Sequence, residues 1–183
     1  DHRRQRVFVG TDVTARFSKR GPKLYASIAA YIMCLVRAHP GNYLAFLPSY
    51  AMLKEVATVL DSLAGGSAEI VRQRPSMRED ERERFVARFR EPRDARTSEP
   101  TAPSATREPR DTARGANTSL IGLCVLGGIF GESIDLPGEA LVGVVVVGTG
   151  MPVISDEREV IRDYFDAKEG RGFAYAYTFP GMI

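Results

Sequence analysis

The chain has 183 residues, of which 44% are hydrophobic and 26% are charged, and its formal net charge is +2. This composition is typical of a folded globular domain and excludes a disordered or fibrous protein. No stretch reaches the about 18 apolar residues of a membrane span, and residues 1–6 lack the apolar core of a signal peptide. We therefore expect a cytoplasmic protein with no membrane partner.

The small net charge conceals an uneven distribution along the chain. Residues 1–24 contain seven Lys or Arg against two Asp or Glu, and residues 72–114 contain twelve Arg against nine acidic residues. Residues 115–183 have the opposite balance, with four basic and nine acidic residues. Two interpretations stay open: a basic surface that binds a polyanion, and an arginine-rich surface that is only solvated.

In the first half of the chain, helical and strand patterns alternate. The predicted helices span residues 22–38, 50–63 and 77–90, and the predicted strands span 43–47 and 69–72. Ser49 is a candidate N-cap for the second helix. Phe85, Val86 and Phe89 form the apolar stripe of the third helix.

Residues 91–118 differ from the rest, because four prolines stand there among Ser, Thr, Arg and acidic residues. Such a segment buries too little apolar surface to offset its ordering entropy. We predict a flexible insertion within a single domain that spans residues 1–183. Order is predicted to return with strands at 119–126 and 141–148, a helix at about 156–168 and an apolar segment at 173–177.

The two cysteines, Cys34 and Cys124, both lie in apolar runs, and no Cys/His spacing suggests a metal site. We expect two buried free thiols in a reducing compartment.

Strands that alternate with helices and are themselves continuously apolar predict an α/β fold with a mainly parallel sheet. Ligands of such sheets bind at the carboxyl ends of the strands. Two segments occupy that position: Pro48-Ser49-Tyr50, and residues 127–138, which we call the glycine-rich turn. Glycines let a backbone approach a phosphate, and consecutive N–H groups form an anion-binding concavity. The turn is not a Walker A loop, because no Gly-Lys-Ser/Thr follows its glycines.

Five segments resemble, in the same order, those of the second motor domain of the XPD/DinG-like DNA helicases of superfamily 2. They are residues 40–50, 72–77, 127–138, 147–152 and 173–182. The resemblance implies a RecA-like three-layer domain with helices on both faces of the sheet. It also implies an ATP-dependent DNA helicase that moves 5′ to 3′ on single-stranded or forked DNA and acts in DNA repair or replication.

By this resemblance, the Pro48-Ser49-Tyr50 segment is similar to helicase motif IV, which lies along the path of single-stranded DNA. Ser49 then bonds a phosphate, or it only caps a helix. Tyr50 stacks on a base, or it only fills the core. The DNA-binding candidates are Pro48, Ser49, Tyr50, Arg72, Arg74, Gly127 and Gly128.

The glycine-rich turn is similar to motif V, which in the family senses both DNA and nucleotide. The resemblance places Gly131, Glu132 and Asp135 near the nucleotide, although Asp135 also suits a purely local bond to its own loop. Ser133 departs from the family, which usually has Gly there, and a left-handed backbone at Ser would be strained by about 1–2 kcal/mol.

The family's phosphate-binding loop and the four cysteines of its iron–sulfur cluster belong to the first motor domain. We expect that domain as the partner, with ATP and Mg²⁺ as cofactors of the whole protein, a possible iron–sulfur cluster in the first domain and no metal site here. Motif VI, which supplies an arginine to the phosphoryl group, is expected beyond Ile183, so the fragment alone should be inactive. Two alternatives are a non-catalytic nucleic-acid-binding α/β module and a small-molecule enzyme on a doubly wound sheet.

Overall fold

The computed structural model describes residues 6–14, 17–91, 119–131, 134, 136–148 and 155–180. The main elements in chain order are α1 (Pro22–Ala38), β1 (Asn42–Leu47), α2 (Tyr50–Ala64), β2 (Ala68–Arg72), α3 (Glu79–Arg90), β3 (Ser119–Val125), β4 (Gly143–Val146) and α4 (Asp156–Glu169). Short 3₁₀ turns occupy Phe17–Lys19 and Gly138–Ala140, and the segment Ala174–Thr178 forms a π-helix. No helix within these ranges is both long and apolar enough to cross a membrane.

The four strands form one sheet in the order β2-β3-β1-β4, and every neighbouring pair is parallel. In the centre of the sheet, Tyr43 lies opposite Ile121 of β3 and Gly143 of β4. Among the strands that the structure describes, β4 lies at one edge of the sheet, and its Val144 and Val146 side chains are more than half exposed. The prediction of a parallel α/β sheet is confirmed.

The sheet is the middle of three layers, because alternate residues of a strand point to opposite faces. One side, which we call the aliphatic face, packs Ala45, Leu47 and Leu123 against α1 and α2. The other side, which we call the aromatic face, packs Leu44 and Leu120 against α3 and the glycine-rich turn. This arrangement confirms the RecA-like three-layer fold with helices on both faces.

Gly122 of β3 lets α3 approach the sheet closely. A Cβ atom at this position would lie 2.5 Å from Phe89 Cζ and 2.8 Å from Leu44 Cδ2. Phe89 is fully buried, and its ring centroid lies 5.6 Å from that of Phe85. The aromatic stripe predicted for the third helix therefore packs over a glycine in the central part of the sheet.

The predicted elements agree with the observed ones to within two residues at most ends, but one burial prediction was wrong. Cys124 is buried, whereas Cys34 is exposed. The buried face of α1 runs through Ile28, Ile32 and Val36, and Cys34 lies off that face. The predicted insertion at 91–118 falls, apart from residue 91, outside the described residues.

Candidate functional site

Three parallel strands end at one edge of the sheet, which we call the carboxyl edge. β1 leads into Pro48, β2 into Gln73 and β3 into Leu126. Parallel strands bring such segments together where open α/β sheets bind ligands. The predicted site residues that the structure describes all follow or end these strands: Pro48, Ser49, Tyr50, Arg72, Arg74, Gly127, Gly128 and Gly131.

Ser49 is the N-cap of α2. Its backbone is extended, its side-chain oxygen accepts the Met52 N–H at 3.3 Å, and its carbonyl accepts the Leu53 N–H at 2.9 Å. This cap satisfies an amide that the first turn of a helix otherwise leaves unpaired. Capping uses the hydroxyl as an acceptor and leaves its proton as a donor. The cap and a hydrogen bond to a phosphate oxygen are therefore compatible.

Tyr50, the first residue of α2, is 36% exposed and is not a core residue. Its hydroxyl accepts a hydrogen bond from Gln73 Nε2 at 2.8 Å and donates one to the Arg74 carbonyl at 3.5 Å. The hydroxyl is thus fixed while part of the ring stays open to solvent. A ring held in this way suits stacking on an unpaired base.

Gln73 is the residue that the sequence-based prediction left out of the site. It is 2% exposed, its Oε1 accepts the Val125 N–H at 2.9 Å, and its own N–H donates to the Leu123 carbonyl at 2.8 Å. The signals in the sequence were its place in the 72–77 segment and an amide side chain directly after a strand. Its partners lie on α2 and β3, so nearby sequence did not reveal them.

Two glycines at the start of the glycine-rich turn, beside the end of β3, cannot be replaced without strain. Gly127 has a φ of 68°, in the left-handed region that side chains disfavour. A Cβ on Gly128 would lie 2.8 Å from Gln73 Nε2 and 2.9 Å from the Val125 carbonyl oxygen. The first glycine is required by backbone conformation and the second by close packing.

The hydrogen bonds inside the turn correct one expectation. The Gly128 N–H donates to the Val125 carbonyl at 3.0 Å, and the Gly131 N–H donates to the Gly128 carbonyl at 2.8 Å. Both amides are therefore engaged within the turn. An anion-binding concavity built from consecutive N–H groups does not include these two.

The turn is anchored to α3. Phe130 is 3% exposed, and its ring stacks on Phe85 with centroids 4.4 Å apart. Arg82 of α3 donates from Nη2 to the Ile129 carbonyl at 3.4 Å. The aromatic face of the sheet thus fixes where the turn leaves β3.

Glu132 and Asp135, together with Ser133, lie outside the described residues, and their roles stay predictions. Ile134 and Leu136, which alternate with them, are half-buried and pack against the same aromatic face as Phe130.

The arginine candidates both form ion pairs. Arg72 pairs with Asp61 of α2, and Arg74 pairs with Glu81 of α3. Arg74 is the more open of the two, with 69% of its side chain exposed. Exposed ion pairs contribute only about 0–1 kcal/mol, so a phosphate can replace the carboxylate partner at little cost.

Among the described residues, the buried Cys124 thiol is unreactive and no side-chain cluster suits a metal ion. Burial raises the pKa of the Cys124 thiol to about 12, which keeps it protonated and unreactive at neutral pH. No group of three or more His, Cys, Asp or Glu side chains in the described ranges is arranged to hold a metal ion.

Two solved structures share this fold. An apo XPD structure matches with a TM-score of 0.61 and 16% identity, over 94% of this chain and 29% of its own length. An XPD helicase structure matches with a TM-score of 0.58 and 19% identity, over 94% of this chain and 26% of its own length. The chain therefore spans less than a third of either protein.

The sequence defines the family independently of the fold. The helicase C-terminal domain family matches residues 32–183. This chain belongs to that family, and the predicted likeness to the second motor domain of XPD/DinG-like helicases is confirmed. Among curated proteins, no match was found.

Proposed function

We propose that the chain is the second motor domain of an ATP-dependent DNA helicase that moves 5′ to 3′ on single-stranded DNA and unwinds duplexes. The observation that carries the proposal is the meeting of the Tyr50 segment and the glycine-rich turn at the carboxyl edge, in a member of the helicase C-terminal domain family. The two segments share the buried side chain of Gln73.

The strand is held at this edge by its backbone and by its bases. The Ser49 hydroxyl donates to a phosphate oxygen while its oxygen caps α2, and the open part of the Tyr50 ring stacks on a base. Arg72 and Arg74 exchange their carboxylate partners for phosphates. Pro48, Gly127 and Gly128 shape the path without adding charge.

The nucleotide is ATP, which binds between this domain and a first motor domain. Gly131, Glu132 and Asp135 of the glycine-rich turn face it by resemblance to motif V. We assign no described residue to Mg²⁺. This sequence has only two cysteines, so the four thiolates of a cysteine-ligated iron–sulfur cluster would have to come from the first motor domain.

Opening and closing of the cleft between the domains moves the strand across the carboxyl edge. The chain's own part is to hold the strand at Ser49 and Tyr50 and to keep the glycine-rich turn in a fixed place beside them. The anchor of Phe130 on Phe85 serves that second task.

The test of strand binding is the salt dependence of the affinity for a labelled oligothymidylate, measured by fluorescence anisotropy. Arg74→Gln and Arg72→Gln should each weaken binding without regard to base sequence. Each should also reduce the slope of log K against log salt by about 0.7, the share of one phosphate contact on a single strand.

The matched control is Arg37→Gln. Arg37 lies near the end of α1, just before β1 begins, and it bonds the Leu63 carbonyl. This variant makes the same change of charge at the opposite edge of the sheet and should leave the slope unchanged. Equal slopes for all three variants would assign Arg72 and Arg74 to a solvated surface.

We propose that the chain alone has no ATPase activity, because its sequence contains neither a phosphate-binding loop nor the Gln-x-x-Gly-Arg-x-x-Arg pattern of motif VI. A phosphate-release assay with ATP, Mg²⁺ and single-stranded DNA should stay at background. Turnover above background would contradict this. Strand binding that persists, with no ATPase activity after both a first motor domain and a segment carrying motif VI are supplied, would support the alternative of a non-catalytic binding module.

A further inference from the structure

Gln73 is one of three buried polar residues among those described. A buried carboxamide is costly unless its donors and acceptor are paired. Here the Nε2 group donates to the Tyr50 hydroxyl at 2.8 Å, and Oε1 accepts the Val125 N–H at 2.9 Å. The side chain therefore joins two segments that are far apart in sequence.

The hydrogen bonds continue on both sides of Gln73. Beyond its Oε1, Val125 uses its carbonyl to accept the Gly128 N–H at 3.0 Å. Beyond its Nε2, the Tyr50 hydroxyl reaches the Arg74 carbonyl. Hydrogen bonds therefore link the first turn of α2 to Gln73, and Gln73 to Val125, whose carbonyl holds the start of the glycine-rich turn.

Few side chains can replace glutamine in this position. An ionised Glu accepts from Val125 but has no proton to donate to Tyr50, and an apolar side chain pairs with neither. The space is also closed on one side, because a Cβ on Gly128 would lie 2.8 Å from Gln73 Nε2. Chemistry and packing both select a carboxamide.

We infer that Gln73 is a positioning residue that couples the two halves of the carboxyl edge. It holds Tyr50 and the glycine-rich turn in one geometry, so that a strand bound at Tyr50 changes the turn as well. This inference rests on the proposed function, since it assigns the strand to Tyr50 and the nucleotide to the turn.

The test is an NMR titration of the ¹⁵N-labelled chain with a short oligothymidylate. In the unaltered chain, amide shift changes at Ser49 and Tyr50 should be accompanied by a change at Gly131, which lies in the glycine-rich turn but outside the proposed strand path. In Gln73→Met, the change at Gly131 should fall at least about threefold, while those at Ser49 and Tyr50 remain. Loss of one such hydrogen bond lowers the equilibrium constant for the geometry that it stabilises by about fivefold.

Tyr50→Phe is the second variant and removes only the hydroxyl that Gln73 contacts. It should give the same selective loss at Gly131, even where Gln73→Met folds poorly. Its matched control is Tyr31→Phe, which removes the hydroxyl of a similarly exposed tyrosine that bonds Asp12 instead. The control should behave as the unaltered chain does.

The outcomes separate this inference from the proposed function. Shift changes at both segments that persist in Gln73→Met and Tyr50→Phe would overturn the coupling and leave strand binding intact. No shift change at any residue of the unaltered chain would overturn both. A purely structural role for Gln73 would lower stability but keep the ratio of the changes at the two segments constant.

Discussion

The two faces of the sheet are packed by different kinds of side chain. Among the buried residues of the aliphatic face, Tyr43 is the one aromatic residue. On the aromatic face, Phe85, Phe89 and Phe130 are three of the six buried members. None of the candidate site residues belongs to the buried cluster of the aliphatic face, whereas Phe130 is part of the glycine-rich turn. We therefore expect the aliphatic face to contribute most of the stability and the aromatic face to hold the glycine-rich turn in position.

The largest effect is expected on the aliphatic face. Leu60→Ala removes a fully buried side chain of α2 and should lower the free energy of unfolding by about 2–5 kcal/mol. Chemical denaturation measures the change. DNA affinity of the folded protein should stay the same, because no contact at the carboxyl edge is altered.

The matched control for Leu60→Ala is Leu63→Ala. Leu63 lies on the same helix but is 37% exposed, so its truncation should cost only about 0.5 kcal/mol. Similar losses for the two variants would contradict the assignment of stability to the buried aliphatic face.

An intermediate effect is expected at alkaline pH on the aromatic face. Burial raises the pKa of Cys124 from 9.0 to about 12 in the folded protein. The unfolded chain releases this proton first, so the folded state loses stability as pH rises above 9. The loss should reach about 1.4 kcal/mol at pH 10.

This loss is measured as the difference in unfolding free energy between the unaltered chain and Cys124→Ala at pH 8 and at pH 10. Other groups titrate equally in both proteins and cancel. The advantage of the unaltered chain over Cys124→Ala should shrink at the higher pH.

The smallest effect on stability is expected at Phe130. Phe130→Leu keeps an apolar side chain but removes the stacking on Phe85, which is worth about 0.5–1.5 kcal/mol. The local loosening of the glycine-rich turn should be easier to measure than the change in the free energy of unfolding. Exchange of the Gly131 amide, which bonds the Gly128 carbonyl, should accelerate relative to amides of α2. Equal acceleration in both places would mean that the aromatic face does not hold the turn.

Local patterns in the sequence were sufficient for most of the fold. Apolar runs bounded by Pro and Gly marked the strands, and Ser49 was identified as a cap because capping depends only on the next three residues. The stripe of Phe85 and Phe89 followed from helical periodicity. In each case the controlling interaction lies within a few positions along the chain.

The parts of the site that sequence did not reveal depend on contacts between distant segments. Gln73 is paired with Tyr50 and Val125, which lie 23 and 52 positions away. The engagement of the Gly128 and Gly131 amides depends on how the turn folds back on itself. The ion pairs of Arg72 with Asp61 and of Arg74 with Glu81 could not be predicted, because the helices α2 and α3 bring the partners together only in the fold.

The exposed edge formed by β4 has a practical consequence for experiments in solution. Val144 and Val146 are exposed beside the outer edge of this strand, and an edge of that kind is a template for pairing with a second chain. Concentrated samples should therefore self-associate, and sedimentation at several dilutions would find the range in which a single copy meets the oligonucleotide. Titrations at higher protein concentrations would measure self-association through the edge of the sheet instead of binding of the oligonucleotide.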